Sequence, residues 1–355
     1  MNVLQTHTSP IVEIAPHGNI DLGISVNHFF LMGFRPGDAV DVEFSNGFAF
    51  RNIPVFSGFY GAGNKPCLYA TTKFYPHIGI GCPVSGNPWL MANAKPGDTA
   101  RIVLRRRRGF DRLEKRMRVP ELLDPSPSRT PQQNANWRSL DAGRITPGTI
   151  YRSCSPVRGD VAAAAIACNM MKKTRIQSVL NLSDNATLLE SRKEDPEAGA
   201  APYLHLHDEG RVLPLHLGVD YHLQENAQTL AQGLLWLAAQ PKPSLIHCKL
   251  GLDRTGMVCA LLEMLAGCDY ARIERDYQAS YFNLFGPHPK NGRSYSLGDQ
   301  RFKELMDYLL SLVPRAKGRE GEPPSSETLH LAAYAYLQFG GLDGTHINRI
   351  EYMLR

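Results

Sequence analysis

The sequence predicts two unlike domains in one chain. A small all-β barrel or sandwich occupies residues 1–110, and an α/β domain with a central, mainly parallel sheet occupies 137–315. Three observations carry this. Short alternating segments separated by Gly- and Pro-rich turns fill the first hundred residues. After residue 137, apolar strands alternate with helical stretches. A Cys and an Arg stand six positions apart where one of these strands runs into a helix.

In the first domain Val40, Val42 and Phe44 alternate with Asp41 and Glu43. Ser45-Asn46-Gly47 then turns the chain into Phe48-Ala49-Phe50, a hairpin signal. Pro36-Gly37-Asp38 introduces this strand, and Pro96-Gly97-Asp98 introduces another at Thr99–Leu104. The echo predicts equivalent turns. Residues 111–136 are charged and then Pro/Ser/Gln-rich, which reads as a basic linker.

In the second domain Ile150 to Ser153 ends a strand, and Val161 to Met171 is helical. Ile176 to Leu182 is a buried strand of the parallel-sheet kind. A further strand is expected near Tyr203 to His207, and a helix over about Asn226 to Ala239. Ser244-Leu245-Ile246-His247 is the strand leading to Cys248, and the apolar helix after it ends at Gly267. Residues 316–355 are expected to be a linker and a small helical tail.

The run His247-Cys248-Lys249-Leu250-Gly251-Leu252-Asp253-Arg254-Thr255-Gly256 carries the chemistry. A loop ending on a helix N-terminus presents backbone N–H groups and favours an anion. A Cys there is a nucleophile once it is a thiolate, which a helix N-terminus and a guanidinium both favour. Arg254 offers a planar fork that can hold two phosphoryl oxygens. Gly251 lets the backbone come close to a ligand.

These residues resemble the signature His-Cys-x-x-Gly-x-x-Arg-(Ser/Thr)-Gly of the cysteine-dependent protein tyrosine phosphatase superfamily. The resemblance extends to Tyr151-Arg152-Ser153 and to Asp276–Asn283, which look like segments of its bacterial branch. It implies a tyrosine-phosphatase-like α/β fold. Cys248 carries over as nucleophile, Arg254 as the phosphate-binding residue and Thr255 as the hydroxyl that assists phosphocysteine hydrolysis. His247, Lys249, Leu250, Gly251, Leu252 and Gly256 are then the substrate-binding loop. The expected activity is phosphomonoester hydrolysis on phosphotyrosine-type substrates, with phosphoinositides or inositol phosphates as the alternative. A phospholigand-binding protein with a dead site is the rival from another class. A rhodanese-like sulfur transferase is disfavoured by Gly251, Arg254 and Thr255-Gly256.

The reaction also needs a general acid. Asp208 has the spacing of the loop Asp used by many superfamily members, and Asp220 is slightly too close to the Cys. Asp253 matches the in-loop Asp of atypical bacterial lipid phosphatases, which it resembles in Asp253-Arg254. Leu252 stands where that branch has Lys. Asp253 is preferred over Asp208 because it must lie at the mouth of the loop.

Composition sets the remaining bounds. Hydrophobic residues make up 43% of the chain and charged residues 21%, as in a globular protein without membrane spans. The seven Cys are odd in number and show no CxxC spacing, which argues against a disulfide framework or structural zinc and points to the cytoplasm. His205 and His207, with His216 and His222 nearby, are not completed by a second motif. No metal and no cofactor is therefore expected. Of the net charge of +5, residues 101–120 hold nine basic residues against Asp111 and Glu114. The segment reads as a solvated connector or as an attraction for an anionic substrate or membrane surface. Without aromatic interleaving it gives no support to nucleic acid.

Overall fold

The computed structural model describes residues 5–14, 19–57, 66–70, 77–82, 88–117, 127–158, 161–191, 201–218, 220–285, 296–313 and 322–355. The chain divides into two compact units, Met1–Pro120 and Glu121–Arg355. The Pro/Ser-rich stretch at 118–126 lies outside the described residues.

The first unit is a closed barrel rather than a sandwich. Its strands are β1 (Thr6–Ile14), β2 (Ile20–Ser25), β3 (Ala39–Phe44), β4 (Ala49–Phe56), β5 (Cys67–Tyr69), β6 (His77–Gly81) and β7 (Thr99–Arg106). Around the barrel they run β1-β2-β6-β5-β4-β3-β7, with β7 returning to β1. Among the described strands of this unit only β4 and β5 pair in parallel. Closure pairs every strand edge. Ile20, Leu22, Val40, Val42, Ile78, Ile80 and Ile102 point inward, and Phe29 stacks on Phe34 at 4.5 Å between ring centroids.

The Pro-Gly-Asp echo corresponds to a repeated construction. Helices α1 (Val26–Leu31) and α2 (Pro88–Ala92) each precede one copy. In both turns the Asp carboxylate accepts from the backbone N–H three residues earlier, Asp38 from Arg35 at 3.0 Å and Asp98 from Lys95 at 3.1 Å. Both glycines have positive φ, near 90°, a region costly for residues with a Cβ.

One detail departs from the alternating pattern. Asp41 lies on the polar face of β3, yet it is buried. Arg51 and Arg105 each reach it at 2.9 Å, and Asn52 N–H donates to it at 2.8 Å. Burial pushes this carboxyl up, but those donors outweigh it, and the net shift is down. The basic run is thus partly a cross-strand ion ladder, since Arg101 pairs with Glu43 as well. The linker expected at 111–136 also carries structure at both ends. Asp111–Met117 is helix α3, and Pro131–Asn134 is helix α4, capped by Thr130.

The second unit has a five-stranded sheet in the order β11-β10-β12-β9-β8. Its strands are β8 (Arg138–Ser139), β9 (Ile150–Ser153), β10 (Ser178–Asn181), β11 (Val212–Pro214) and β12 (Ser244–His247). β11, β10, β12 and β9 pair in parallel, and β8 is antiparallel to β9. Helices α5 (Ala164–Lys173), α6 (Ala186–Ser191), α7 (Ala201–Asp208) and α8 (Gln224–Leu237) lie between these strands. After β12 come α9 (Asp253–Leu265), α10 (Tyr270–Phe285), α11 (Ser296–Ser311), α12 (Ser326–Phe339) and α13 (Gly344–Met353).

One expectation changes here. Residues 203–207 are not a strand but the middle of α7, because Tyr203 and Leu206 are its buried residues and stand three apart. The strand that follows is only Val212–Pro214. The tail at 322–355 is helical and packs into the second unit. Leu329, Ala332, Ala333, Tyr336 and Leu337 of α12 are buried, and α12 packs on α8 and α9.

Candidate active site

Parallel register aligns Asn181, Pro214, His247 and Ser153 at one carboxyl edge of the sheet. Open α/β sheets bind ligands outside this edge. β12 delivers Cys248 there, and α9 starts at Asp253, so the residues between form a short loop that closes on a helix N-terminus.

The loop is held from outside through its carbonyl groups. Ser155 N–H donates to Lys249 O at 3.0 Å. Asn136 Nδ2 donates to Gly251 O at 2.8 Å and to Leu250 O at 3.3 Å. Arg152 Nη2 donates to Gly251 O at 3.0 Å. A trans peptide points its N–H opposite to its C=O. Carbonyls turned outward therefore turn the following N–H groups toward the concave side. Gly251 has φ +68, and a Cβ there would lie 2.3 Å from Ser153 O, so no other residue fits.

Arg152 does not act alone. It is fully buried and donates to Asp276 at 2.5 Å and to Ser280 Oγ at 2.9 Å. Arg138 reaches the same Asp276 at 2.6 Å and Ser280 at 2.8 Å. Burial alone would push the Asp276 carboxyl up. The two guanidinium groups reverse this and hold it well below the usual carboxylate range. Sequence reasoning missed this cluster. Its members lie in the two segments singled out separately, Tyr151-Arg152-Ser153 and Asp276–Asn283, and nothing in the sequence joined them.

His247 is buried as well. Burial pushes its pKa down to about 4, so the ring is neutral. Its Nδ1 lies 3.3 Å from Cys248 O, which can only accept, so Nδ1 carries the proton. Nε2 then accepts from Tyr203 OH at 3.0 Å, and Asn181 Nδ2 donates to that hydroxyl at 2.9 Å. The imidazole braces the backbone at Cys248.

Arg254 Nη1 donates to Leu182 O and Leu217 O, each at 3.1 Å. These carbonyls belong to the segments after β10 and β11. The guanidinium is thereby fixed between two neighbours of the loop. Thr255 is buried, and its hydroxyl has no hydrogen bond among the described residues. Lys249 is half-buried, while Leu250, Leu252 and Gly256 are buried.

The two acid candidates separate in space. Asp208 ends α7, four residues before Val212 opens β11, so it lies at the amino edge of the sheet, opposite Cys248. Its side chain is 60% exposed. Asp253 opens α9 beside Arg254, and its Oδ1 accepts from Tyr281 OH at 3.1 Å and from Arg301 Nη1 of α11. Arg301 was not anticipated from sequence, and Tyr281 only as part of Asp276–Asn283. Asp220 lies in the segment after β11 and accepts from His222 N–H at 3.0 Å. His205 and His207 each face a carboxylate, Glu209 at 3.2 Å and Glu190 at 3.5 Å.

Residues 135–307 match the model of a tyrosine phosphatase family. The second unit therefore carries a tyrosine phosphatase family domain. The match begins beside Asn136 and ends in α11, so it takes in the braced loop, the Arg152–Asp276 cluster and Arg301. No curated protein matches the chain. A structural likeness was found to an uncharacterized conserved protein from Thermotoga maritima, at 15% identity and a TM-score of 0.24. It covers 29% of this chain and 39% of that one. No described helix is long and apolar enough to cross a membrane.

Proposed function

We propose that the phosphatase domain hydrolyses phosphomonoesters through a phosphocysteine intermediate, with phosphotyrosine-type groups as its first substrate class. The observation that supports this most is the braced loop, with Cys248 at its base, Arg254 at its far end and its carbonyls held outward. The Cys248 sulfur attacks phosphorus while the ester oxygen leaves. Inward N–H groups and the Arg254 fork carry the charge that builds on the other oxygens. Asp253 gives the leaving oxygen its proton. Water then cleaves the phosphorus–sulfur bond, and the Thr255 hydroxyl supports the departing sulfur. The opposite-edge position of Asp208 speaks against it as the acid. Asp220, which the spacing set aside, shares the carboxyl edge and becomes the second candidate.

Turnover of p-nitrophenyl phosphate tests the reading. Wild type should turn over and Cys248→Ser should not, while Arg254→Lys should lose roughly a hundredfold or more, because a point charge does not replace the fork. Unchanged turnover in Cys248→Ser would overturn the mechanism. A wild type that binds phosphate but never turns over would be a binding module. A second reading, inositol phosphates or phosphoinositides, rests on Arg301. Its guanidinium lies beside Asp253, next to the position where Leu252 removes a cation. If efficiency on those substrates exceeds that on phosphotyrosine peptides by tenfold, about 1.4 kcal/mol, the second reading takes first place.

A further inference from the structure

The first unit has a basic and apolar rim that the reading of the catalytic loop does not use. Of the arginines around the β7–α3 turn, Arg107 is paired with Asp38 at 2.8 Å, and Arg105 with Asp41. Arg106, Arg108 and Arg112 are exposed and form no ion pair among the described residues. Together with Arg107, Gly109, Phe110, Leu113 and one carboxylate, Asp111, they line one concavity, where the arginines outnumber the acid. Arg35, in the α1–β3 turn, is exposed and likewise has no ion pair among the described residues.

Asp38 fastens these two turns together. Its carboxylate accepts from Arg35 N–H and Arg108 N–H, each at 3.0 Å, and from Arg107 Nη1. Phe110 N–H adds a bond to Gly37 O at 2.8 Å. The carbonyls at the end of α1 are held from the same side. Arg107 donates to Gly33 O, Gln5 to Met32 O, and Arg35 to Phe30 O. At this helix end stands Leu31, 85% exposed, the most exposed of the large apolar residues in the described structure. The two arginine-bearing turns are thus tied to each other and to the end of the helix that carries a bare leucine.

We propose that this rim is a docking surface for an anionic lipid bilayer. Arg35, Arg106, Arg108 and Arg112 would meet headgroup phosphates, and Leu31 would enter the apolar boundary beneath them. Charge complementarity selects the partner. Exposed arginines attract an anionic surface and lose that attraction in salt. One apolar side chain gives too little binding alone, and a basic patch supplies the second signal that peripheral anchoring needs. A nucleic acid would use the arginines but would have no use for Leu31.

The test is sedimentation of the full-length protein with phosphatidylcholine vesicles, with and without phosphatidylserine. Binding is read without turnover, so its failure and failure of the phosphatase reading are separate results. Phosphatidylserine should raise partitioning by roughly tenfold or more, and added salt should abolish the gain. Arg106→Gln with Arg112→Gln should remove most of the gain. Leu31→Ser should weaken binding by about tenfold while its salt dependence remains. Arg51→Gln with Arg101→Gln, which alters arginines already paired on the strands, should leave partitioning unchanged. Thermal unfolding checks that each variant is folded. Equal binding to both kinds of vesicle would overturn the proposal. So would arginine variants that bind like wild type. Tighter binding to single- or double-stranded DNA than to vesicles, indifferent to Leu31→Ser, would overturn it in favour of nucleic acid.

Discussion

Both units bury carboxylates against arginines, but they treat the arginines differently. In the barrel, Asp38 and Asp41 have side chains 1% and 2% exposed, while their partners Arg107, Arg51 and Arg105 stay about half in water, at 49%, 57% and 52%. In the phosphatase domain, Asp276 is 6% exposed and its partner Arg152 is not exposed at all. A half-hydrated guanidinium keeps much of its solvation and acts as a cover over the acid. A fully buried one has lost its water and needs protein acceptors for its donors. Arg152 finds Asp276, Ser280 and Gly251 O for its two terminal nitrogens, while its Nε has no partner among the described residues, and Gly251 O belongs to the loop after Cys248. The barrel pairs close a fold. The Arg152 cluster shapes a site.

The largest effect should come from breaking the buried cluster. Arg152→Met leaves Asp276 short of one counter-charge and Gly251 O short of one donor. It should cost about 3–5 kcal/mol in urea unfolding. In any fraction that stays folded, turnover should fall while the barrel keeps its own transition. A variant that loses stability but keeps full kcat would show that Arg152 does not position the loop.

The next effect is a pH response. His247 is held neutral, with its pKa down at about 4 against an ordinary 6.5. Its folded pKa is the lower one. The stability it contributes is therefore complete above about pH 6.5 and is lost as pH falls toward 4. The loss is on the order of 3 kcal/mol. Asp41 is also shifted down, so the barrel pairing persists until pH drops below the ordinary carboxylate range. His7 of the barrel is pushed down by burial and by His28, but it is only half-buried and contributes less. Urea melts at pH 7 and pH 5 should show the phosphatase domain weakening first, and His247→Gln should flatten its slope. Equal weakening of the two units would break the comparison.

The smallest effect belongs to the cover pairs. Asp41→Asn keeps the shape and the contact to Asn52 N–H but removes the charge. It should cost about 1 kcal/mol of barrel stability and leave turnover unchanged. A clear loss of turnover would mean that the barrel pairs serve the site after all.

Much of this architecture could be read from local signals. The hairpin at Ser45-Asn46-Gly47, the two Pro-Gly-Asp turns and the strand into Cys248 all rest on residues near one another in sequence. What escaped was either short or non-local. Tyr203-Leu204-His205-Leu206-His207 alternates with period two over five residues, while Tyr203 and Leu206 also fit a helix, and tertiary packing chose the helix. The strand of three residues at Val212–Pro214 is too short to carry a period. Asp208 had a plausible distance along the chain, but α7 returns it to the wrong edge of the sheet. The braces on the loop come from Asn136 and Arg152, more than ninety residues before Gly251, and no spacing rule connects them.

All seven cysteines are buried and none is in a disulfide. Burial pushes the thiols of Cys154, Cys259 and Cys268 up to about 12 and also raises those of Cys67 and Cys168, so at neutral pH these five are unreactive. Cys248 opens the braced loop before α9, the proposed anion cradle. The molecule thus sorts its own sulfur atoms for a chemist. An alkylating reagent that is itself an anion, such as iodoacetate, should label Cys248 ahead of those five, without any cysteine having been removed.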